Sequence, residues 1–437
     1  MTNLSADRNA AVPGRAAPWW VLAFVALWPA PGLAEAALVL GALYSVVRLL
    51  QLRLTGDIAP LLSVPAWALT TVLFVAFWAP QLVSAVDAVD PQRAWGKVAG
   101  GLRYLPFMWL VAIAVATPAR RRLTFGGLAV IAGVWVLDAL VQAIAGASPL
   151  FWSMDQVKWL INGRGLCSAQ EVAAADRLSG VFGPCNLKFG QVLASLSPFV
   201  LFALAARWQR LGWMVGVVAV GGVLLLAGSR ASWITYALVV LASGWRLLGG
   251  KQMAALVLAS TVAAAAVGWN VDQVRERLQR TALAFQAEGG GVDAALSGRG
   301  QIWGAALCMV REHPINGVGA RGFRDAYPQC DPNPAQTAAW GEGPALHAHQ
   351  LVLEVLAETG VIGLLLWLAG AALAWRAWRY ATPQARERAR PAAVALAVTV
   401  FPLNTHLAFY SAYWGSVTLM LAALFAGSLL AREEPAA

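Results

Sequence analysis

Residues 189–248 read FGQVLASLSPFVLFALAARWQRLGWMVGVVAVGGVLLLAGSRASWITYALVVLASGWRLL. Three apolar runs, 189–206, 211–227 and 231–248, follow one another, separated only by Arg207-Trp208-Gln209-Arg210 and by Gly228-Ser229-Arg230. Each run has the roughly 17–25 residues that a helix needs to cross ~30 Å of hydrocarbon. Working outward, the same pattern returns at 19–31, 35–52, 63–86, 98–117 and 124–146, and again at 252–268, 350–378, 391–407 and 411–431, giving twelve expected spans. The first two are short and read as a helical hairpin turning through Pro29 and Pro31.

The composition agrees. Of 437 residues, 59% are hydrophobic and 12% charged, against about 25% charged in soluble domains. The 21 tryptophans suit a chain with many membrane–water interfaces. A disordered chain, a secreted disulfide scaffold and a cytosolic enzyme are excluded. The net charge of +10 is scattered over connections between apolar spans, so no nucleic-acid partner is expected. The expected fold is an all-α polytopic membrane protein with no cleavable signal peptide. It divides into a nine-helix region, 1–268, that includes a loop at 147–188, a large loop at 269–349 with surface helices, and three spans in 350–437.

Orientation follows from the short connections. Arg8 and Arg15, Arg48 and Arg53, Arg120-Arg121-Arg122, Arg207 and Arg210, Arg246 and Lys251, and the group from Arg376 to Arg390 fall in every second connection. That side is expected to be cytoplasmic, with both termini on it, in a bacterial inner membrane. Loops 147–188 and 269–349 then face the periplasm. A periplasm-only reporter fused after Ala437 should therefore be inactive and one inserted at Gly290 active; the reverse pattern would move every candidate residue below to the cytoplasm.

All four cysteines lie in or beside those two loops: Cys167 and Cys185, Cys308 and Cys330. Four cysteines allow three pairings. An oxidising compartment permits disulfides, and pairing within each loop closes the shortest rings, each worth about 3 kcal/mol by loop-closure entropy. The four histidines, His313, His347, His349 and His406, lie on or near the same face. The chemistry is expected there.

Arg230 opens a span directly after Ser229, a candidate N-cap. A cation in the first turn opposes the helix dipole, so helix stability does not ask for it. Either it snorkels to headgroup phosphates, or dipole, free N–H groups and guanidinium together bind an anion. Arg299 repeats the pattern in Ser297-Gly298-Arg299, after Gly289, Gly290 and Gly291. Two such arginines suit a diphosphate, because the guanidinium fork matches phosphate oxygens. The stretch Val271, Val274, Leu278, Ala282 and Phe285 keeps helical spacing, as a surface helix or an ordinary packing helix would.

His347-Ala348-His349-Gln350 stands immediately before the tenth span. Residues two apart point to different sides of a helix and no third ligand has a recognisable spacing, so no metal and no other cofactor is expected. Histidine alone titrates near neutral pH unperturbed, which suits a general base; the bland alternative is interfacial polarity. Glu354 and Glu358 sit one turn apart at the start of the same span. Asp138 is an intramembrane carboxylate, either functional or held by a structural hydrogen bond. No phosphate loop, Gly-x-Ser-x-Gly elbow or Asp-x-Asp is present.

With these residues in hand, the chain resembles the O-antigen ligase family, within the wider superfamily of ligases, polymerases and O-oligosaccharyltransferases. His349-Gln350, nine residues, then Gly360-Val361-Ile362-Gly363 match the family's His-[Asn/Ser/Gln]-x9-Gly-x-x-Gly signature. Ser297-Gly298-Arg299 with Trp303, Pro314-Ile315-Asn316-Gly317-Val318-Gly319 with Phe323, and Gly228-Ser229-Arg230 precede it. Arg177-Leu178-Ser179-Gly180-Val181-Phe182 and Asn186 resemble a weaker stretch. The resemblance implies a GT-C-like membrane glycosyltransferase that moves O-antigen polysaccharide from an undecaprenyl-diphosphate carrier to a sugar hydroxyl of lipid A-core. It would act at the periplasmic face, among membrane lipids, with inversion and without a metal. Arg230 and Arg299 would grip the diphosphate and His349 would be the base, with Arg177, Asn186, His347 and Gln350 binding substrate. A polymerase, an O-oligosaccharyltransferase and, from another class, a transporter or lipid-binding membrane protein are the alternatives. Transporters usually carry repeats and interrupted midplane helices, whereas the polar residues here cluster outside the spans.

Overall fold

A computed structural model of the chain describes residues 12–55, 61–173, 177–270, 275, 279, 299–334, 343–404 and 408–432. Every regular element among them is helical. In chain order these are α1 (Val12–Ala26), α2 (Pro31–Thr55), α3 (Val64–Ser84), α4 (Pro91–Gly101), α5 (Tyr104–Ile113), α6 (Pro118–Ala145), α7 (Pro149–Asn162) and α8 (Ala169–Ala173). There follow α9 (Phe189–Leu226), α10 (Arg230–Gly244), α11 (Gly250–Asn270), α12 (Arg299–Glu312), α13 (Phe323–Cys330), α14 (Leu351–Tyr380), α15 (Pro383–Thr399) and α16 (Ala412–Leu429).

The protein is an all-α polytopic membrane protein. Six described helices are long and apolar enough to cross a membrane: α2, α3, α6, α9 counted whole, α14 and α16. Each of the twelve apolar runs has helix in the structure. The boundary expected between 189–206 and 211–227 is a break within α9, where Trp208 and Gln209 leave helical geometry and Gln209 takes φ +52. The run 98–117 differs from expectation. It is divided at Leu102–Arg103, and α5, with 10 residues, reaches only about 15 Å at 1.5 Å per residue.

Helix starts follow local chemistry. Ser63, Asp90, Ser148, Thr382 and Ser411 each accept a hydrogen bond from the N–H three residues on, and a proline opens α4, α7 and α15 and is the second residue of α3. These are N-caps with proline where its missing N–H costs nothing. Asp138 is explained in the same way. It is buried in α6 and accepts hydrogen bonds from Ser148 Oγ at 2.7 Å and Leu150 N at 2.9 Å, tying down the start of α7; its role is structural.

The chain forms two compact units, one of Met1–Val21, Glu35–Thr124 and Leu283–Ala437, the other of Leu22–Ala34 and Phe125–Ala282. In the first, α16 is buried along its length and packs against α3, α5 and α15, while α14 lies on α3 and α12. Gly370 of α14 faces Ala76 of α3, and Gly427 of α16 faces the backbone of Ala112 in α5; small residues let membrane helices approach this closely. A separate apolar core, with Ile302, Met309, Val318, Phe323, Tyr327 and Ala348, supports the segment that leads into α14. In the second unit α10 packs on α9, with Trp213 Nε1 donating to Ser243 Oγ at 3.0 Å and Tyr236 OH to the Val217 carbonyl at 2.9 Å.

Both within-loop disulfides are present, Cys167–Cys185 and Cys308–Cys330. The surface helix expected over Val271–Phe285, the Gly289–Gly291 turn, Ser297, Gly298 and His406 lie outside the described residues.

Candidate functional site

In the first unit the site is built on an interrupted helix. Leu351–Tyr380 is one apolar run, but Gly360 stands at φ +64, ψ −167. The interruption frees backbone groups on either side, and the segment 314–319 takes them. Val318 N donates to the Ala357 carbonyl at 2.8 Å and Gly319 N to the Glu358 carbonyl at 3.1 Å; in return Val361 N donates to Pro314 O at 2.9 Å and Ile362 N to Ile315 O at 3.1 Å. A Cβ on Gly360 would strike the Ile315 carbonyl, and one on Gly317 would strike the backbone at Glu358 and Thr359. The Pro-Ile-Asn-Gly-Val-Gly and Gly-x-x-Gly motifs thus act as one clamp. Its glycines are required because backbone meets backbone and because φ is positive. Asn316 Nδ2 extends the clamp to Asp87, and Val89 N to the Val318 carbonyl.

The clamp fixes the start of α14 and the histidines before it. Ala345 and Ala348 are buried while His347 and His349 are half-buried, so the chain is pinned by its alanines and presents its imidazoles. Trp303 Nε1 donates to the Ala348 carbonyl at 3.1 Å. His349 stands at φ +51, one of three described non-glycine residues with positive φ. Such a backbone costs about 1–3 kcal/mol and persists only where its surroundings dictate it. The His347 and His349 rings lie 3.9 Å apart between centroids. Gln350 is used at both ends: its Oε1 caps α14 by accepting from Leu353 N at 2.5 Å, and its Nε2 donates to Pro402 O at 3.0 Å. It positions the turn at His349.

Beneath the histidines lies a charge cluster that reading the sequence missed. Glu354 and Glu358 are fully buried and Arg321, at φ +66, is 9% exposed. Arg321 N donates to Glu358 Oε2 at 2.7 Å, and Tyr410 N to Glu354 Oε1 at 3.4 Å. The Arg321 guanidinium acts electrostatically on both carboxylates. Beside it, Arg324 is held below its ordinary pKa by burial and then by the Arg321 and Arg93 charges. The signal was two carboxylates one turn apart in an apolar run; their partner, some thirty residues earlier, carried none. Arg299 opens α12, as expected, and Gln301 in the same first turn bonds Asp331 at 2.8 Å.

In the second unit Arg230 is the first residue of α10. Ser229 occupies the N-cap position with extended backbone, but its hydroxyl makes no cap bond; Ser232 Oγ donates to its carbonyl at 2.7 Å instead. Gly190, in the first turn of α9, lies against Ser232 and Ser229, and Gln191 Nε2 donates to Thr235 Oγ1 at 3.1 Å. Two helix N-termini therefore converge beside Arg230, each a site favourable to an anion. Lys188, whose ammonium is held below its usual pKa by burial, and Asn186, whose Oδ1 accepts from Lys188 Nζ at 3.3 Å, stand just before α9. Leu178 N donates to the Leu226 carbonyl at 3.4 Å, which brings the Arg177 segment to the same turn. Arg177 also lines a cavity of about 540 Å³ with Gln142, Trp152 and Asp155.

Among the described residues, the one group of His, Cys, Asp and Glu close enough to share an ion is Cys308, Glu312 and Cys330. Its two sulfurs are joined in a disulfide and offer no thiolate.

Residues 215–368 match the protein family described as O-antigen ligase, a span that takes in Arg230, Arg299, Arg321, His347, His349 and both glycine motifs of the clamp. Over 309 residues the chain is 24% identical to a protein of Pseudomonas aeruginosa named O-antigen ligase, covering 69% of this chain and 64% of that relative. The chain thus spans a little under two thirds of the relative's length.

Proposed function

We propose, from the match of residues 215–368 to the family described as O-antigen ligase, that this protein is an inner-membrane glycosyltransferase. It transfers O-antigen polysaccharide from undecaprenyl diphosphate to a sugar hydroxyl of lipid A-core, on the periplasmic face and without a metal. The observation that carries the reading is His349. It is a half-buried imidazole on a backbone at φ +51, fixed by the Ala348 carbonyl on one side and the Gln350 cap on the other.

The acceptor oxygen attacks the anomeric carbon of the donor sugar as His349 takes its proton. The bond from that carbon to the diphosphate oxygen breaks, so configuration inverts and the diphosphate leaves on its carrier with the bonding electrons. The donor's own bond supplies the energy. Arg230 and Arg299 meet the charge that grows on the leaving group, a transition-state role. Arg177 and Asn186 contact the donor beside Arg230, and His347 supports His349.

The experiment is the lipopolysaccharide of a deletion strain. Loss of the O-antigen ladder with carrier-linked polymer retained is expected. A single-repeat band would make the protein a polymerase, and normal lipopolysaccharide with missing protein glycans an oligosaccharyltransferase. In the purified protein, Arg230→Ala and Arg299→Ala should each lower kcat by roughly 10²–10³, the scale of losing one preorganised charge-stabilising donor. Lys at either position should restore little, because it lacks the planar fork. Full rescue by Lys would reduce either arginine to a diffuse positive charge.

A further inference from the structure

The connection after α3 is short, and the alternation of Lys and Arg puts it on the side where short connections are otherwise poor in cations. Yet α4 brings Arg93 and Lys97, and the turn that follows it, at the N-cap of α5, brings Arg103. All three line one cavity of about 230 Å³, walled also by Gln81, Tyr104 and Tyr410, and among the described residues no carboxylate lines it. Two of the cations are already matched. Arg93 pairs with Asp325 and, at 3.5 Å, with Asp90; Arg103 pairs with Glu35 at 2.5 Å and lies 4.6 Å over the Tyr104 ring. Lys97 makes no hydrogen bond or ion pair among the described residues. Burial, then the charges of Arg321 and Arg103, hold its ammonium below its ordinary pKa; Glu35 opposes this, Arg324 adds to it, and Lys97 also acts electrostatically on Glu358.

A half-buried ammonium with more like charge than counter-charge around it is costly unless an anion completes the site. The cavity's size narrows the anion. It is smaller than the ~300 Å³ at which pockets for drug-sized ligands begin, so it takes one phosphorylated headgroup rather than a run of sugars. Gly96, Gly100 and Gly101 on its α4 wall leave the backbone open to a close approach.

We propose that this cavity is a phosphate-binding subsite for a sugar phosphate of the lipid-anchored acceptor, with Lys97 as its principal ligand and Arg93 and Arg103 as its flanks. The assignment rests on the transferase reading above and is separate from the role given there to Arg230 and Arg299, which concerns the donor. Lys97 selects the acceptor and holds it by its phosphate; it takes no part in breaking or forming the glycosidic bond.

The test uses the purified full-length protein in phosphatidylcholine nanodiscs, with lipid A-core either intact or stripped of its phosphates. Lys97→Gln should raise KM for the intact acceptor roughly 10- to 100-fold, the worth of one charged hydrogen bond, while kcat and donor KM stay unchanged. On the stripped acceptor Lys97→Gln and wild type should behave alike, and Lys97→Arg should keep most of the affinity. An equal loss on both acceptors overturns the proposal. So does a rise in donor KM, which would give the cavity to the carrier, or disappearance of the effect when phosphatidylglycerol replaces phosphatidylcholine, which would give it to bulk lipid. Binding is read separately as the thermal shift that each acceptor produces in His349→Ala protein. A phosphate-dependent shift that Lys97→Gln abolishes supports the subsite even if no transfer occurs, and that combination would sink the transferase reading alone. A shift that survives Lys97→Gln overturns the subsite.

Discussion

On the transferase reading, replacing His349 with Ala is expected to slow glycan transfer by roughly 10²–10⁴-fold, the usual worth of general-base help, and to leave the protein folded. His347→Ala keeps most of the activity. The two imidazoles are 3.9 Å apart, so proximity alone does not choose between them, but the backbone does. His349 is the residue held at positive φ, between an anchored carbonyl and a helix cap; His347 is not at positive φ. Because Ala at positive φ is itself strained, His349→Asn is the cleaner variant. Asparagine tolerates left-handed backbone and keeps a polar side chain but is no base. It should melt near wild type and be as inactive as the Ala variant. If His349→Asn transfers at the wild-type rate while His347→Ala does not, the base lies two residues earlier. If both transfer normally, no histidine here is the base.

The sequence made the helices legible and the clamp illegible, for a definite reason. An apolar run of membrane length has few alternatives to helix, so each expected span has helix in it, and a pair of cysteines 18 or 22 residues apart closes most cheaply on itself. Hydropathy carries no mark of an interruption inside such a run. Residues 350–378 look uniform, and the break at Gly360 depends on carbonyls and N–H groups supplied by Pro314–Gly319, some forty residues earlier. The His349 signature could be recognised as a pattern, but not why its glycines stand where they do. The same limit hid the Ser229 hydroxyl, which a local rule makes a cap, and the short α5, which a window of average hydropathy extends. Arg321 was one arginine among eleven basic residues of the two long loops. Only the fold sets it against two buried carboxylates.

That setting makes Arg321 the position where substitution should damage the structure most. Glu354 and Glu358 are fully buried one turn apart, and like charges at that spacing repel. The Arg321 guanidinium acts on both, and its backbone N–H holds Glu358 Oε2. Arg321 Nη1, Glu354 Oε2 and Glu358 Oε1 are buried and make no hydrogen bond among the described residues, so the cluster is held by field more than by paired bonds. Arg321→Met keeps the stem's bulk and removes the charge, leaving two carboxylates in a dry interior. Breaking a buried pair in this way costs roughly 3–5 kcal/mol, and the melting temperature in detergent should fall accordingly. Adding Glu358→Gln should restore part of the loss, because one of the stranded charges is gone. Additive losses, or an Arg321→Met protein that melts like wild type, would show that the carboxylates do not depend on the arginine. Since Gly319, the second preceding residue, is clamped to the Glu358 carbonyl, weakening this cluster also loosens the first turns of α14. Transfer by Arg321→Met should therefore fall even below its melting temperature, through the turn that presents His349.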